Sequence, residues 1–175
     1  MDMIALRRAA MLGWQSNIAY QSNIAYEAWD LSFNASKKEY IDTGVYLFNE
    51  KNINRDFEVV IENLYGSASS DQTIVCAKHN GLALGFLIRC TAQSTHSYAG
   101  TIGIKKNTIP NTITIRRING VLSVEGNTIT NQPVPFNPNA VFDWPLCLGC
   151  AIDDNGEPYR WTTGTIGHIV VRWLN

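Results

Sequence analysis

From residue 57 onward the chain alternates apolar and polar side chains two by two, the spacing of a strand with one buried face. Phe57, Val59 and Ile61 alternate with Glu58, Val60 and Glu62. Residues 73–78 and 82–89 repeat the pattern on either side of His79, Asn80 and Gly81, which predicts two strands and a short turn. Residues 112–118 and 121–124 flank Asn119 and Gly120, a pair that tolerates the left-handed backbone of a tight hairpin. A further strand is expected around Thr128. Near the end, Leu146, Leu148 and Cys150 alternate with Cys147, Gly149 and Ala151 to predict one buried strand. Gly167, Ile169, Val171 and Trp173 alternate with His168, Val170 and Arg172 to predict a second. Asp153, Asp154, Asn155 and Gly156 form a turn cluster between them.

Two stretches break the alternation. Residues 91–100 are rich in Ser, Thr and Gln and read as a loop. Residues 131–145 carry Pro133, Pro135, Pro138 and Pro145, so they read as a long surface crossing, because proline cannot donate to a ladder. Short strands at regular spacing, hairpin turns and one long crossing predict an all-β, two-sheet antiparallel sandwich.

The first residues differ. Residues 2–13 have helical spacing behind Asp2 as a cap, with Arg7 and Arg8 beside the apolar side. The hexapeptide QSNIAY then occurs twice in tandem, at 15–20 and 21–26. Two copies are too few for a solenoid, so the repeat reads as part of an exposed arm. The expected division is a helical or extended assembly arm over 1–28, with Ile4, Arg7, Arg8, Met11 and Trp14 as its contact residues, and one sandwich domain over 29–175.

Composition narrows the partners. A net charge of -1 with only 17% charged residues in 175 argues against nucleic acid as a partner. No run is long and apolar enough to insert in a bilayer, and the opening lacks a clean signal-cleavage site, which predicts synthesis and retention in the cytoplasm. Cys76, Cys90, Cys147 and Cys150 each sit among apolar residues and read as small hydrophobes. On an unbroken strand Cys147 and Cys150 face opposite ways, so zinc would require a break at Gly149.

The segments KEYIDTGVYLFNEKNINRDFEVVIE at 38–62, TITIRRINGVLSV at 112–124 and LCLGCAIDDNGEPYRWTTGTIGHIVVRW at 146–173 carry a resemblance. Together they resemble the laminin-G-like, concanavalin A-like jelly rolls of bacterial surface proteins and bacteriophage structural proteins. The matching phrases are Tyr40 to Gly44, Leu146 to Gly149 and Gly164 to Ile166. The opening MIALRRAAMLG is similar to short basic-apolar openings of phage virion proteins. Where the family favours an acidic pair after its terminal Gly-x-Ile, this chain has Gly167 and His168.

The resemblance narrows the two-sheet antiparallel sandwich to a jelly roll. It implies a virion protein, made in the host cytoplasm, joined to other virion proteins through its arm and forming a homo-oligomer. It also implies a loop surface for a cell-surface glycan. The alternative is a bacterial secreted or surface domain that binds carbohydrate or processes glycosides.

Catalysis is not expected. Glu58 and Glu62 read as a solvated face and lie too far apart along one strand for paired glycosidase carboxylates; the three His residues have no nucleophile motif beside them. No cofactor or metal is expected either, since Asp153, Asp154 and Asn155 lack the full spacing of a calcium loop. The candidate ligand site is Trp144 with the hairpin residues Asp153, Asp154, Asn155, Tyr159, Arg160 and Trp161, which set aromatic platforms beside hydroxyl acceptors and one cation.

Overall fold

The computed structural model describes residues 23–67, 72–79, 82, 84–100, 102–126, 134–135 and 141–174. The arm residues Ile4, Arg7, Arg8, Met11 and Trp14, the first QSNIAY copy and the strand expected at Thr128 lie outside them.

In chain order the strands are β1 (Ile24–Phe33), β2 (Ile41–Asp42), β3 (Phe57–Gly66), β4 (Gln72–His79) and β5 (Leu84–Cys90). There follow β6 (Thr95–Ala99), β7 (Ile102–Lys106), β8 (Thr112–Ile118), β9 (Val121–Gly126) and β10 (Val134–Pro135). The last four are β11 (Cys147–Leu148), β12 (Ala151–Ile152), β13 (Pro158–Tyr159) and β14 (Gly164–Trp173). The first sheet runs β1-β14-β3-β8-β9-β10 and the second β2-β11-β4-β5-β6-β7, while β12 and β13 form a separate hairpin. All pairings are antiparallel, so the expected two-sheet sandwich is the fold.

Alternation places Phe57, Val59 and Ile61 of β3, Ile113 and Ile115 of β8, and Ile169 and Val171 of β14 in one core with Val75, Phe86 and Ile88 from the second sheet. Asn119 and Gly120 turn β8 into β9 at φ 52° and 76°, the left-handed pair that the Asn-Gly signal predicted.

Four expectations change. The sandwich begins at Ile24, ahead of the boundary placed at residue 29: the Ile-Ala-Tyr end of the second QSNIAY copy lies in β1, where Ala25 and Tyr26 pack on the core and β1 pairs along β14. Residues 95–99 form strand β6 instead of a loop. The predicted strand through 146–151 is broken at Gly149, with β11 in the second sheet and β12 in the hairpin. Within the expected surface crossing, Val134 and Pro135 pair with Leu122 and Val121 at the edge of the first sheet, where a missing N–H is tolerated, and Phe142 is buried in the core.

Candidate functional site

The two sheets present outer faces of opposite character. On the first, charges are matched. Arg116 Nε donates to Glu58 at 2.7 Å and Arg172 to the same carboxylate at 3.0 Å. Glu58 is therefore a partly covered ion-pair centre, not a solvated residue. His168 lies between Glu62 at 2.7 Å and Glu27 at 3.0 Å, with Trp29 stacked on its ring at 3.7 Å. This face is knit across β1, β14, β3 and β8, and it spends its charged groups on itself.

The outer face of the second sheet is built in rows, because residues opposite one another on antiparallel strands share a face. One row is Cys147, Cys76, Leu87, Tyr98 and Gly103. The next is Arg89, His96 and Lys105. Lys78 lies on the other side of the first row, opposite Gly85. Tyr98 is the centre: the Lys78 ammonium stands 5.2 Å and the Arg89 guanidinium 5.3 Å from its ring centroid. Its hydroxyl meets His96 Nδ1 at 3.1 Å. Gly103 gives the ring room, since a Cβ there would stand 2.7 Å from Tyr98 Cε1. Burial, reinforced by the Arg89 charge, lowers the Lys78 pKa, with Cys76 and Asp154 acting the other way.

Between Tyr98 and the β12–β13 hairpin lies a small apolar cluster of Cys76, Leu87, Cys147, Cys150 and Ile152, with Tyr98, Trp144 and Trp161 packed around it. The break at Gly149 turns Cys150 to the same cluster as Cys147. Burial pushes the Cys76 thiol up to about 11, and a hydrogen bond with Cys150 followed by burial raises Cys147 as well. At neutral pH Cys76 and Cys147 are therefore packed thiols and poor nucleophiles. Among the described residues no group of three or more His, Cys, Asp or Glu is placed to hold a metal.

The sequence-predicted residues fall into two sets. Trp144 and Trp161 pack against this cluster, as Tyr98 does; Trp144 also stacks on His79 at 5.0 Å, and Lys38 stands 4.9 Å from the Trp161 ring. Thr162 ties the hairpin to the sheet through its hydroxyl to Thr73 O and its N–H to Gly149 O at 2.8 Å. The others belong to the hairpin itself. Asp153 Oδ1 accepts from the Asn155 and Glu157 amides at 2.8 and 2.9 Å, Asp154 pairs with His79 at 3.3 Å, and Arg160 covers Tyr159 at 5.2 Å.

The Asp153 carboxylate is thus occupied by its own turn, and those backbone bonds hold its pKa below the usual carboxylate range. A depressed carboxylate stabilises the turn above its ordinary pKa and loses that contribution as pH falls through the depressed value. Asp153→Ala is expected to speed hydrogen exchange at the Asn155 and Glu157 amides several-fold without changing exchange in β14. NMR exchange measurements check this, and unchanged rates at both amides would contradict it.

No family model and no curated protein matches the chain. Solved structures do. The NanB sialidase of Streptococcus pneumoniae superposes with TM-score 0.55 at 11% identity, over 87% of this chain and 27% of that one. The leech intramolecular trans-sialidase gives TM-score 0.55 at 12% identity, over 86% and 26%. The CBM40 of the Ruminococcus gnavus IT-sialidase, in a structure bound to alpha2,3 sialyllactose, gives TM-score 0.54 at 9% identity, over 85% and 92%. The chain therefore spans about a quarter of each whole sialidase and nearly all of the separate CBM40. At these identities the likeness establishes the sandwich fold.

Lys78, Arg89, His96, Tyr98 and Lys105 were missed from the sequence because residues 91–100 read as a loop and cations two strands apart do not look adjacent. One signal was present. From Gln72 to Val124 the chain contains six Lys or Arg residues and no Asp or Glu, a segregation that the near-zero net charge hides.

Proposed function

We propose that this chain is a carbohydrate-binding module that works without catalysis, taking a glycan on the outer face of its second sheet. The observation that carries this is Tyr98, a half-buried ring held in place by His96 and Gly103, flanked by Lys78 and Arg89 and packed on the same apolar cluster as Trp144 and Trp161. Aromatic faces take the apolar faces of sugar rings, while adjacent cations donate to hydroxyl and acid oxygens. The likeness to a CBM40 that spans most of both chains supports the same function. The hairpin with Tyr159 and Arg160 borders this face.

The test is Tyr98→Ala in glycan-array binding and titration calorimetry. One lost stacking contact is worth about 1 kcal/mol, so affinity should fall several-fold, with a smaller loss on Trp161→Ala. Tyr98→Ala that binds as the parent does, with its melting unchanged, would move the site elsewhere.

Display on a phage particle through Ile4, Arg7, Arg8, Met11 and Trp14 is a separate proposal that rests on the sequence resemblance.

A further inference from the structure

Of the six cations between Gln72 and Val124, Arg116 and Arg117 belong to the first sheet and Lys78, Arg89, Lys105 and Lys106 to the second. Arg116 and Arg117 lie in β8 and meet Glu58 at 2.7 Å and Asp56 at 3.8 Å. Lys78, Arg89 and Lys105 lie on the outer face of the second sheet, and no carboxylate among the described residues is in ion-pair range of them. Asp154 acts on Lys78 only through space, its carboxylate being paired with His79. β4, β5, β6 and β7 contain no acidic residue at all.

Two like charges held beside one ring repel, and burial of one of them adds to the cost. The first sheet of the same molecule shows how this chain deals with such charges when they serve the fold, because Arg116 and Arg172 share Glu58 and Arg117 meets Asp56. Cations left unmatched around an accessible aromatic ring are a half-site that an anion completes.

We infer that the saccharide bound on this face carries a carboxylate, which Arg89 and Lys78 clamp beside Tyr98. This rests on the glycan-binding proposal above. The planar guanidinium of Arg89 matches a carboxylate with two parallel N–H bonds, and Lys78 adds a compact charge from the adjoining strand. Lys105, in the same row as Arg89, widens the positive field toward the β7 edge. Neutral sugars would use the rings and leave the repulsion between Lys78 and Arg89 in place.

The experiment titrates the full chain with acid and methyl-ester pairs of two saccharides, 3′-sialyllactose and a glucuronate-terminated disaccharide, and with a sulfated disaccharide. At least one acid should bind about tenfold or more tighter than its own ester, a difference that shrinks in high salt and disappears in Arg89→Gln. The Lys78 ammonium, followed by NMR, should titrate at higher pH in the complex than in the free protein. An ester that binds as well as its acid overturns the inference while leaving glycan binding intact. A sulfated disaccharide that binds as tightly as the better acid overturns the assignment to carboxylate. Absence of binding to every saccharide, on these titrations and on a broad glycan array, overturns the parent proposal instead. Because the acid and ester differ only in charge and a methyl group, the result stands even if Arg89→Gln folds poorly.

Discussion

Gly149→Ala should lower the stability of the domain by about 3 kcal/mol, and with it the melting temperature by about 6 to 12 °C. Two costs add. The residue has φ +84°, in the left-handed region where an L side chain costs about 1 to 2 kcal/mol. A Cβ there would also stand 2.4 Å from Phe33 Cδ1, inside the core, and overpacking of that kind costs about 1 to 3 kcal/mol. Relaxation is restricted because the backbone is held on both sides: its N–H donates to Ile74 O and its carbonyl accepts from Thr162 N, each at 2.8 Å. Gly149 is where the chain leaves the second sheet for the β12–β13 hairpin, so the same substitution should disturb the Cys150 and Trp161 side of the thiol cluster. Denaturant unfolding and thermal melts measure the loss. A change below about 1 kcal/mol would mean that Phe33 moves aside freely.

The break at Gly149 also shows why parts of the fold were readable from the sequence and others were not. Where a strand buries aliphatic residues on one face, as Phe57, Val59 and Ile61 do, alternation alone locates it. The Asn119-Gly120 turn was equally clear, because few residue pairs accept two left-handed conformations in succession. Strand β6 escaped because its inward residues include Thr95 and Ser97, both buried, with the Thr95 hydroxyl donating to Thr108 O at 3.3 Å. A strand that faces the core with hydroxyls has no hydropathy alternation to read. β1 escaped for another reason: the tandem repeat suggested an appendage, whereas its Ile-Ala-Tyr end supplies the start of an edge strand.

The candidate site suffered from both effects. Trp144 and Trp161 were conspicuous as aromatics near a turn cluster, but Tyr98 belongs to the hidden strand. Its cations come from β4 and β5, and only the pairing of Lys78 with Gly85 and of Leu87 with Tyr98 brings them to one ring. Local sequence carries residue types; the registers that converge them are set by long-range packing.

The largest single loss is expected from a residue outside any strand. Phe48 lies in the connection between β2 and β3 and is 0% exposed. Its ring meets Phe57 from the first sheet edge-on at 5.7 Å, Phe86 from the second at 6.3 Å and Phe142 from the long crossing at 5.2 Å. Val45, Leu47 and Ile53 of the same connection are buried with it, at spacings that match neither a strand nor a helix. The connection holds this shape by its own bonds: Ile53 N donates to Asn49 O at 2.8 Å and the Asn52 side chain to Tyr46 O at 2.6 Å. Phe48 is therefore a plug between the sheets on a preformed loop, with little freedom to collapse into the space left by truncation. Phe48→Ala should cost about 4 kcal/mol, near the upper part of the range for buried phenylalanines, and lower the melting temperature by about 8 to 16 °C. Phe48→Leu should recover more than half of that, because most of the volume returns while the edge-on ring contacts do not. The consequence should extend to the candidate site, since Phe142 N donates to Phe48 O and the Phe142 ring packs against Trp144 at 4.7 Å. Tryptophan fluorescence of Phe48→Ala in its folded baseline should shift toward that of a more solvated indole, whereas Phe48→Leu should keep the parent spectrum. A loss of less than about 2 kcal/mol for Phe48→Ala would show that the connection can close over the void and that the two sheets do not depend on it.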